Sequence, residues 1–154
     1  MKFGIIITMF DEHDLVLSSV QEIKRRCPNS YICVVHSDDN NITAALNNII
    51  QLVDQYYILP NLALDKNLDS KTLASSCIVR NLNKGFANLY ETDNDFECII
   101  ALTADTLITD STSFERRLSD MKVYNRKAIV SQAIGQRFHA VGSNGEYIQE
   151  GRLQ

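Results

Sequence analysis

The alternation of short apolar runs with helix-like segments constrains the fold of this chain more than any other feature. Each run is too short for a typical helix and is rich in apolar, mostly β-branched or aromatic residues, which favours a strand. The runs predicted to form strands are Phe3–Met9, Tyr31–Val35, Gln55–Pro60, the run between Glu97 and Asp105, and Ala128–Val130. Because helical crossovers join parallel strands, the sequence predicts an α/β fold, a three-layer sandwich with a mostly parallel central sheet.

Helical patterns fill the intervals between these runs. Four helices are expected. The first continues from the acidic turn Asp11–Asp14 to Arg26, and the second carries apolar residues from Ile42 to Val53. The third begins at Asp69 or Ser70, and the fourth begins at Ser111–Ser113. The first is expected to bury Leu15, Val16, Val20 and Ile23. Gly85 lowers the propensity of the third, so a kink or break near Asn83 would agree with the sequence.

Length and charge limit the classes of protein to which the chain can belong. The 154 residues are predicted to form one α/β domain, with a core over residues 1–132 and a Gly-rich tail over residues 133–154. The formal net charge is -4 and no dense Lys/Arg cluster occurs, which argues against a nucleic-acid partner. No secretory leader or membrane-spanning run is recognised, so a cytoplasmic protein without a membrane span is expected.

The tail carries a hairpin signal. Asn144 and Gly145 form a dipeptide that favours the positive φ angles of hairpin turns, so a turn is predicted at Ser143–Glu146. A terminal hairpin is marginal by itself. The sequence therefore leaves open a protein partner or a homo-oligomer.

Neither the cysteines nor the histidines predict a transition-metal site. None of the four cysteines belongs to a C-x-x-C pair, so reduced, buried thiols are expected. His13 is expected to be exposed at a helix start, and His139 to be structural. Since no second His or Cys stands at ligand spacing, no zinc-type site is predicted.

A carboxylate follows the fourth apolar run. Asp105 is expected just past the carboxyl end of that strand, where open α/β sheets bind their ligands. There it could hold a divalent metal and, through the metal, a phosphate. The structural alternative is that Asp105 caps the next turn, since Asp is a common turn residue.

Four polar segments lie at predicted strand ends or on the helix before the fourth strand. They are Thr8–Glu12, His36–Asp39, Arg80–Asn81 and Thr103–Asp105. In this order they resemble the nucleotide-diphospho-sugar transferases of the GT-A type. That family has an Asn-Glu or similar pair after the first strand, acidic residues after the second, an Arg-Asn pair, and a D-x-D motif. The resemblance covers most of residues 3–132.

The resemblance implies a glycosyltransferase-like protein that binds a nucleotide-activated sugar and transfers the sugar to an unknown acceptor. The residues that it implies beside the nucleotide sugar are Thr8, Asp11, Glu12, His36, Asp38, Asp39, Arg80 and Asn81. It further implies that Asp105 holds Mn²⁺ or Mg²⁺ bridging the diphosphate. No catalytic base is assigned.

Several alternatives remain at this point. Thr103 stands where the family has its first carboxylate, and the family's enzymes are longer, so a non-catalytic or partner-dependent domain of the same fold is one alternative. Another is an unrelated flavodoxin-like or response-regulator-like α/β domain. At the level of residues, Asp38 and Asp39 could cap the helix near Ile42. Arg80 could be ion-paired on a helix surface or brace an acidic loop, and His36 could be a strand-end histidine with satisfied hydrogen bonds.

Overall fold

The computed structural model describes residues 2–61, 70–92 and 95–106, together with residues 116, 119, 122–123, 139–141 and 147–149. The chain folds into two compact units, Met1–Phe114 and Glu115–Gln154.

The described residues of the first unit form a four-stranded, all-parallel sheet and three helices. The strands are β1 (Phe3–Met9), β2 (Tyr31–Ser37), β3 (Gln55–Leu59) and β4 (Cys98–Thr103). The helices are α1 (His13–Arg26), α2 (Ala44–Leu52) and α3 (Ser70–Glu91). The strands lie in the order β3-β2-β1-β4, and every pair is parallel. The predicted α/β fold with a parallel sheet is therefore confirmed.

The strand order contains a reversal. From β1 the chain winds outward through β2 to β3, and it then returns to place β4 on the other side of β1. Right-handed crossovers in the two directions put α1 and α2 on one face and α3 on the other. Accordingly α1 contacts α2, while α3 packs against β1 and β2. In the flavodoxin-like order β3 would lie beside β1, so that alternative does not describe this sheet.

The core lies around β1 and β2, which are covered on both faces. Ile5, Ile6 and Val34 are fully buried. On the α3 face, a Cβ added to Gly85 would lie 2.5 Å from Ile6 Cγ2, so glycine permits the close approach of helix and strand. Helix α3 runs without a break through this residue, so the break considered near Asn83 does not occur.

One predicted core residue and the first apolar residue of the predicted second helix are exposed. Leu15 in α1 is 54% exposed, whereas Val16, Val20 and Ile23 are buried as expected. These three residues share one helical stripe, and Leu15 lies about 100° around the helix from Val16. Ile42 is 82% exposed because α2 begins after it, at Ala44.

Strand β4 is less covered than the sequence predicts. Its residues are half-buried or exposed, not enclosed on both faces. Within residues 2–61, 70–92 and 95–106, β4 pairs only with β1. The fifth strand predicted at Ala128–Val130 lies outside the described residues.

In the second unit, β5 (His139–Val141) pairs antiparallel with β6 (Tyr147–Gln149). This pairing agrees with the predicted hairpin, although its turn lies outside the described residues. Arg116, Ser119 and residues 122–123 are helical, as the helix predicted from Ser111 requires. Among the described helices, none is both long and apolar enough to cross a membrane.

Candidate functional site

Three polar side chains are buried together at the carboxyl ends of β1 and β2. His13 is the first residue of α1, His36 lies near the end of β2, and Asp39 follows in the β2–α2 loop. Their side chains are 3%, 1% and 7% exposed. The parallel register places Met9 opposite His36, so the start of α1 arrives beside the end of β2.

Both histidines direct the same ring nitrogen at the Asp39 carboxylate. His13 Nε2 lies 3.4 Å from Oδ2, and His36 Nε2 lies 3.4 Å from Oδ1. The two rings stand edge to face, with centroids 5.3 Å apart. Neither Nε2 atom makes a hydrogen bond within the described part of the chain, although both are inaccessible to solvent. We call His13, His36 and Asp39 the His-His-Asp cluster.

The opposite ring nitrogens are held by hydroxyl groups. His13 Nδ1 lies 2.9 Å from Thr43 Oγ1, and His36 Nδ1 lies 2.6 Å from the Tyr56 hydroxyl on β3. Thr43 is also the N-cap of α2, where its hydroxyl accepts a hydrogen bond from the Leu46 amide at 3.0 Å. The orientation of each ring is therefore set from its outer side.

Burial determines the charge state of the groups around His36. It lowers the pKa of His36, an effect that the charge of Asp39 and the backbone of Phe10 oppose and that His13 reinforces. Burial, with the nearby charges of Asp38 and Asp39, raises the pKa of Tyr56 to about 12. A neutral imidazole beside a protonated phenol is the favoured arrangement at neutral pH.

Arg80 and Asn81 brace the ends of β2 and β3. The Asn81 amide donates to the Val35 carbonyl at 3.3 Å and to the Ser37 hydroxyl at 2.9 Å. Arg80 donates to the Pro60 carbonyl at 2.6 Å and to Ser37 Oγ at 3.4 Å. The guanidinium thus binds the strand ends, through a carbonyl and a hydroxyl group and not through an acidic side chain.

Asp38 and Asp39 shape the loop after β2. Asp38 Oδ1 accepts from the Asn40 amide at 2.9 Å, and Asp39 Oδ1 accepts from the Asn41 amide at 3.1 Å. The cap of α2 is Thr43, so the idea that these aspartates cap that helix is wrong. The helix starts too late for either carboxylate to occupy the N-cap position.

The remaining predicted site residues lie at the carboxyl end of β1 or directly after it. Thr8 is buried and pairs with Val35 on one side and Thr103 on the other. Asp11 is exposed, while Glu12 accepts a hydrogen bond from the Phe10 amide at 3.0 Å through Oε2. Asp11 thus presents an accessible carboxylate at this edge.

Asp105 is exposed in a local turn after β4. Thr103 Oγ1 donates to Asp105 Oδ1 at 2.5 Å and lies 3.0 Å from Thr106 Oγ1. The Thr106 amide closes the turn on the Thr103 carbonyl at 3.0 Å. These contacts hold Asp105 within its own turn, and the segment that it was expected to cap lies outside the described residues. The place of Asp105 at the carboxyl end of β4 agrees with the sequence prediction.

Among the described residues, one group of at least three His, Cys, Asp or Glu side chains converges closely enough for metal binding. It is the His-His-Asp cluster, whose ligand atoms all lie within 4.8 Å of one another. His36 and Asp39 were predicted site residues, but the prediction that His13 is exposed is wrong. Its ring is buried because α1 begins at the edge of β2, a placement that local spacing does not encode.

Comparison of the chain with protein-family models, with curated proteins and with solved structures finds no match.

Proposed function

We propose that this chain binds a nucleotide-activated sugar at the carboxyl edge of its parallel sheet. The observation that supports the proposal is the strand order β3-β2-β1-β4. Its direction reverses between β1 and β4, and open α/β sheets bind ligands in the crevice at such a reversal. The segments that resemble GT-A transferases end at this edge.

The exposed carboxylates at this edge suit different parts of the ligand. Asp11, after β1, is free of the turn that engages Glu12 and would accept hydrogen bonds from ribose or sugar hydroxyls. Asp105, after β4, would face the diphosphate across the crevice. Arg80 would act by holding the ends of β2 and β3, since its guanidinium already binds Ser37 and Pro60.

A divalent metal at Asp105 fits only together with the diphosphate. Asp105 is a single exposed carboxylate, and its neighbour Thr103 offers a neutral hydroxyl. Mg²⁺ in proteins is held by one or two carboxylates together with substrate phosphates and water. Metal binding at Asp105 is therefore expected to depend on the nucleotide.

Sugar transfer would follow from donor binding if an acceptor hydroxyl met a general base. The tail residues Glu146 and Glu150 lie outside the described residues and are not assigned this role. A non-catalytic donor-binding domain is favoured as the second candidate by the lone carboxylate at the position of the D-x-D motif. Release of sugar from the donor by the purified chain would exclude that candidate.

The deciding experiment is a thermal-shift screen against UDP-, GDP-, CMP- and dTDP-sugars, each with and without Mn²⁺. A ligand at about a hundred times its Kd stabilises the folded state by roughly 2.7 kcal/mol, so a raised midpoint is expected with one nucleotide. Asp105→Asn should remove the Mn²⁺-dependent part of the shift.

The matched control is Asp95→Asn, because Asp95 is exposed near the amino end of β4. This variant should retain the full shift. No shift with any nucleotide sugar would refute donor binding, and an unchanged Mn²⁺ effect in Asp105→Asn would refute the metal role.

A further inference from the structure

We propose that the His-His-Asp cluster binds a divalent transition-metal ion, with Zn²⁺ as the reference metal, independently of any nucleotide. The ligands are His13 Nε2, His36 Nε2 and the Asp39 carboxylate. This site differs from the nucleotide-dependent one proposed at Asp105, both in its ligands and in its position after β2.

The spacing of the ligand atoms is the first argument. Ligands at about 2.0–2.1 Å from a tetrahedral metal lie roughly 3.3–3.4 Å from one another. Each Nε2 lies 3.4 Å from an Asp39 oxygen, without the geometry of a hydrogen bond. The two nitrogen–oxygen separations thus match those around a shared cation, and all the ligand atoms lie within 4.8 Å of one another.

The second argument is the cost of leaving these nitrogens unpaired. A buried polar group without a partner destabilises the folded state. Two such nitrogens face one carboxylate here, and both lie on buried histidines. A cation bound between them would satisfy both nitrogens and the carboxylate at once.

The outer nitrogens supply the third argument, because a histidine that binds a metal usually donates its other N–H to a fixed acceptor. The Thr43 hydroxyl accepts one hydrogen bond from the Leu46 amide and has a second lone pair for His13 Nδ1–H. The Tyr56 hydroxyl is placed to accept from His36 Nδ1 in the same way. In this arrangement both Nε2 lone pairs point toward Asp39.

The competing explanation is a proton in place of the metal, which would make the cluster a buried ion pair. Protonation of His36 would place a positive charge on a fully buried ring whose centroid lies 5.3 Å from that of the His13 ring. Two neutral imidazoles are the better ligands, since a metal binds the unprotonated nitrogen.

The ligand set restricts the metal. Imidazole nitrogen suits Zn²⁺ and the neighbouring first-row ions, whereas Mg²⁺ and Ca²⁺ prefer oxygen ligands. Three protein ligands leave a fourth position for water or another small ligand. Since the ligands come from α1, β2 and the β2–α2 loop, the ion would tie these elements together.

The test uses the full chain, stripped of metal by a chelator and titrated with Zn²⁺ in the absence of nucleotide. We expect one Zn²⁺ per chain, a raised unfolding temperature, and no comparable effect of Mg²⁺. Co²⁺ should give the visible absorption of a low-symmetry, four-coordinate site in the wild-type chain, which requires no variant. Failure to bind Zn²⁺ or Co²⁺ would overturn the proposal and assign the cluster to a proton-bridged pair.

Variants identify the ligands. Asp39→Asn and His13→Gln, each shown to be folded by circular dichroism, should lose the Co²⁺ spectrum and stoichiometric Zn²⁺ binding. Tyr56→Phe removes only the outer hydroxyl and should weaken affinity by about 10–100-fold. The matched control, His139→Gln, removes the remaining imidazole of the chain and should bind as the wild type does.

Equal binding by the wild type, Asp39→Asn and His13→Gln would overturn the assignment, as would loss of binding in His139→Gln. Asp105→Asn should retain Zn²⁺ binding. If the chain bound no nucleotide sugar, the metal-site proposal would therefore still stand. If the His-His-Asp cluster bound no metal, the donor-binding proposal would still stand.

Discussion

The carboxyl ends of β2 and β4 both carry aspartates, yet the two ends are built differently. After β2, Asp39 is buried against His13 and His36. After β4, Asp105 is exposed and bonds only within its own turn, among the contacts of the described residues. The difference follows from the neighbours, because β2 has a strand on each side and α3 across one face.

This comparison shows that the role of an aspartate at a strand end depends on how far the strand is enclosed. An enclosed end favours a partner for each polar group, since unpaired buried groups are costly. An open end can leave the carboxylate to water. The two ends should therefore differ in stability as well as in geometry.

The largest effect is expected at Asn81, which holds the end of β2. Asn81→Ala removes hydrogen bonds to Val35 and Ser37 from a buried position and should lower the free energy of unfolding by about 1–3 kcal/mol. Urea unfolding measures this change. The matched control is Asn83→Ala, on the exposed side of the same helix. Its free energy of unfolding should stay within about 0.5 kcal/mol of the wild type. Equal losses in both variants would contradict the bracing role.

A smaller effect is expected at Thr43, which caps α2 and contacts His13. Thr43→Ala should cost about 0.5–2 kcal/mol, as N-cap removal generally does. Thr43→Ser keeps the hydroxyl and should recover most of the stability. If the serine variant were as unstable as the alanine variant, the methyl group would be responsible and the hydroxyl would not matter.

The smallest effect is expected at Asp105. Asp105→Asn changes an exposed side chain in a local turn, so the free energy of unfolding should stay within about 0.5 kcal/mol of the wild type. The same urea titration measures it. A loss comparable to that of Asn81→Ala would show that the end of β4 is as tightly built as the end of β2, and the comparison would fail.

Much of the sheet was predictable because buried parallel strands require nearly continuous apolar runs. Phe3–Met9 was predicted with its observed limits, and the predicted Tyr31–Val35 lies within β2, which continues to Ser37. The extent to which other elements bury each strand was less predictable. The run in β4 is as apolar as the others, yet its residues are only partly buried, because burial depends on which elements pack against a strand.

The candidate site was only half predictable. His36, Asp38 and Asp39 are predicted site residues because they follow a predicted strand. The sequence predicts His13 at an exposed helix start and gives no signal that Thr43 and Tyr56 contact the histidines. These groups come from α1, the β2–α2 loop and β3, and no local spacing relates them.

The sequence by itself determined the class of fold, since apolar runs and helical periodicity act over a few neighbouring residues and set each element. Only the tertiary structure decided the strand order, the burial of His13 and the convergence of its ring with His36 on Asp39. Those features arise from the pairing of β1 with β2, which joins residues far apart in the chain. Register and packing are properties of the assembled sheet, and for that reason they are absent from any single segment.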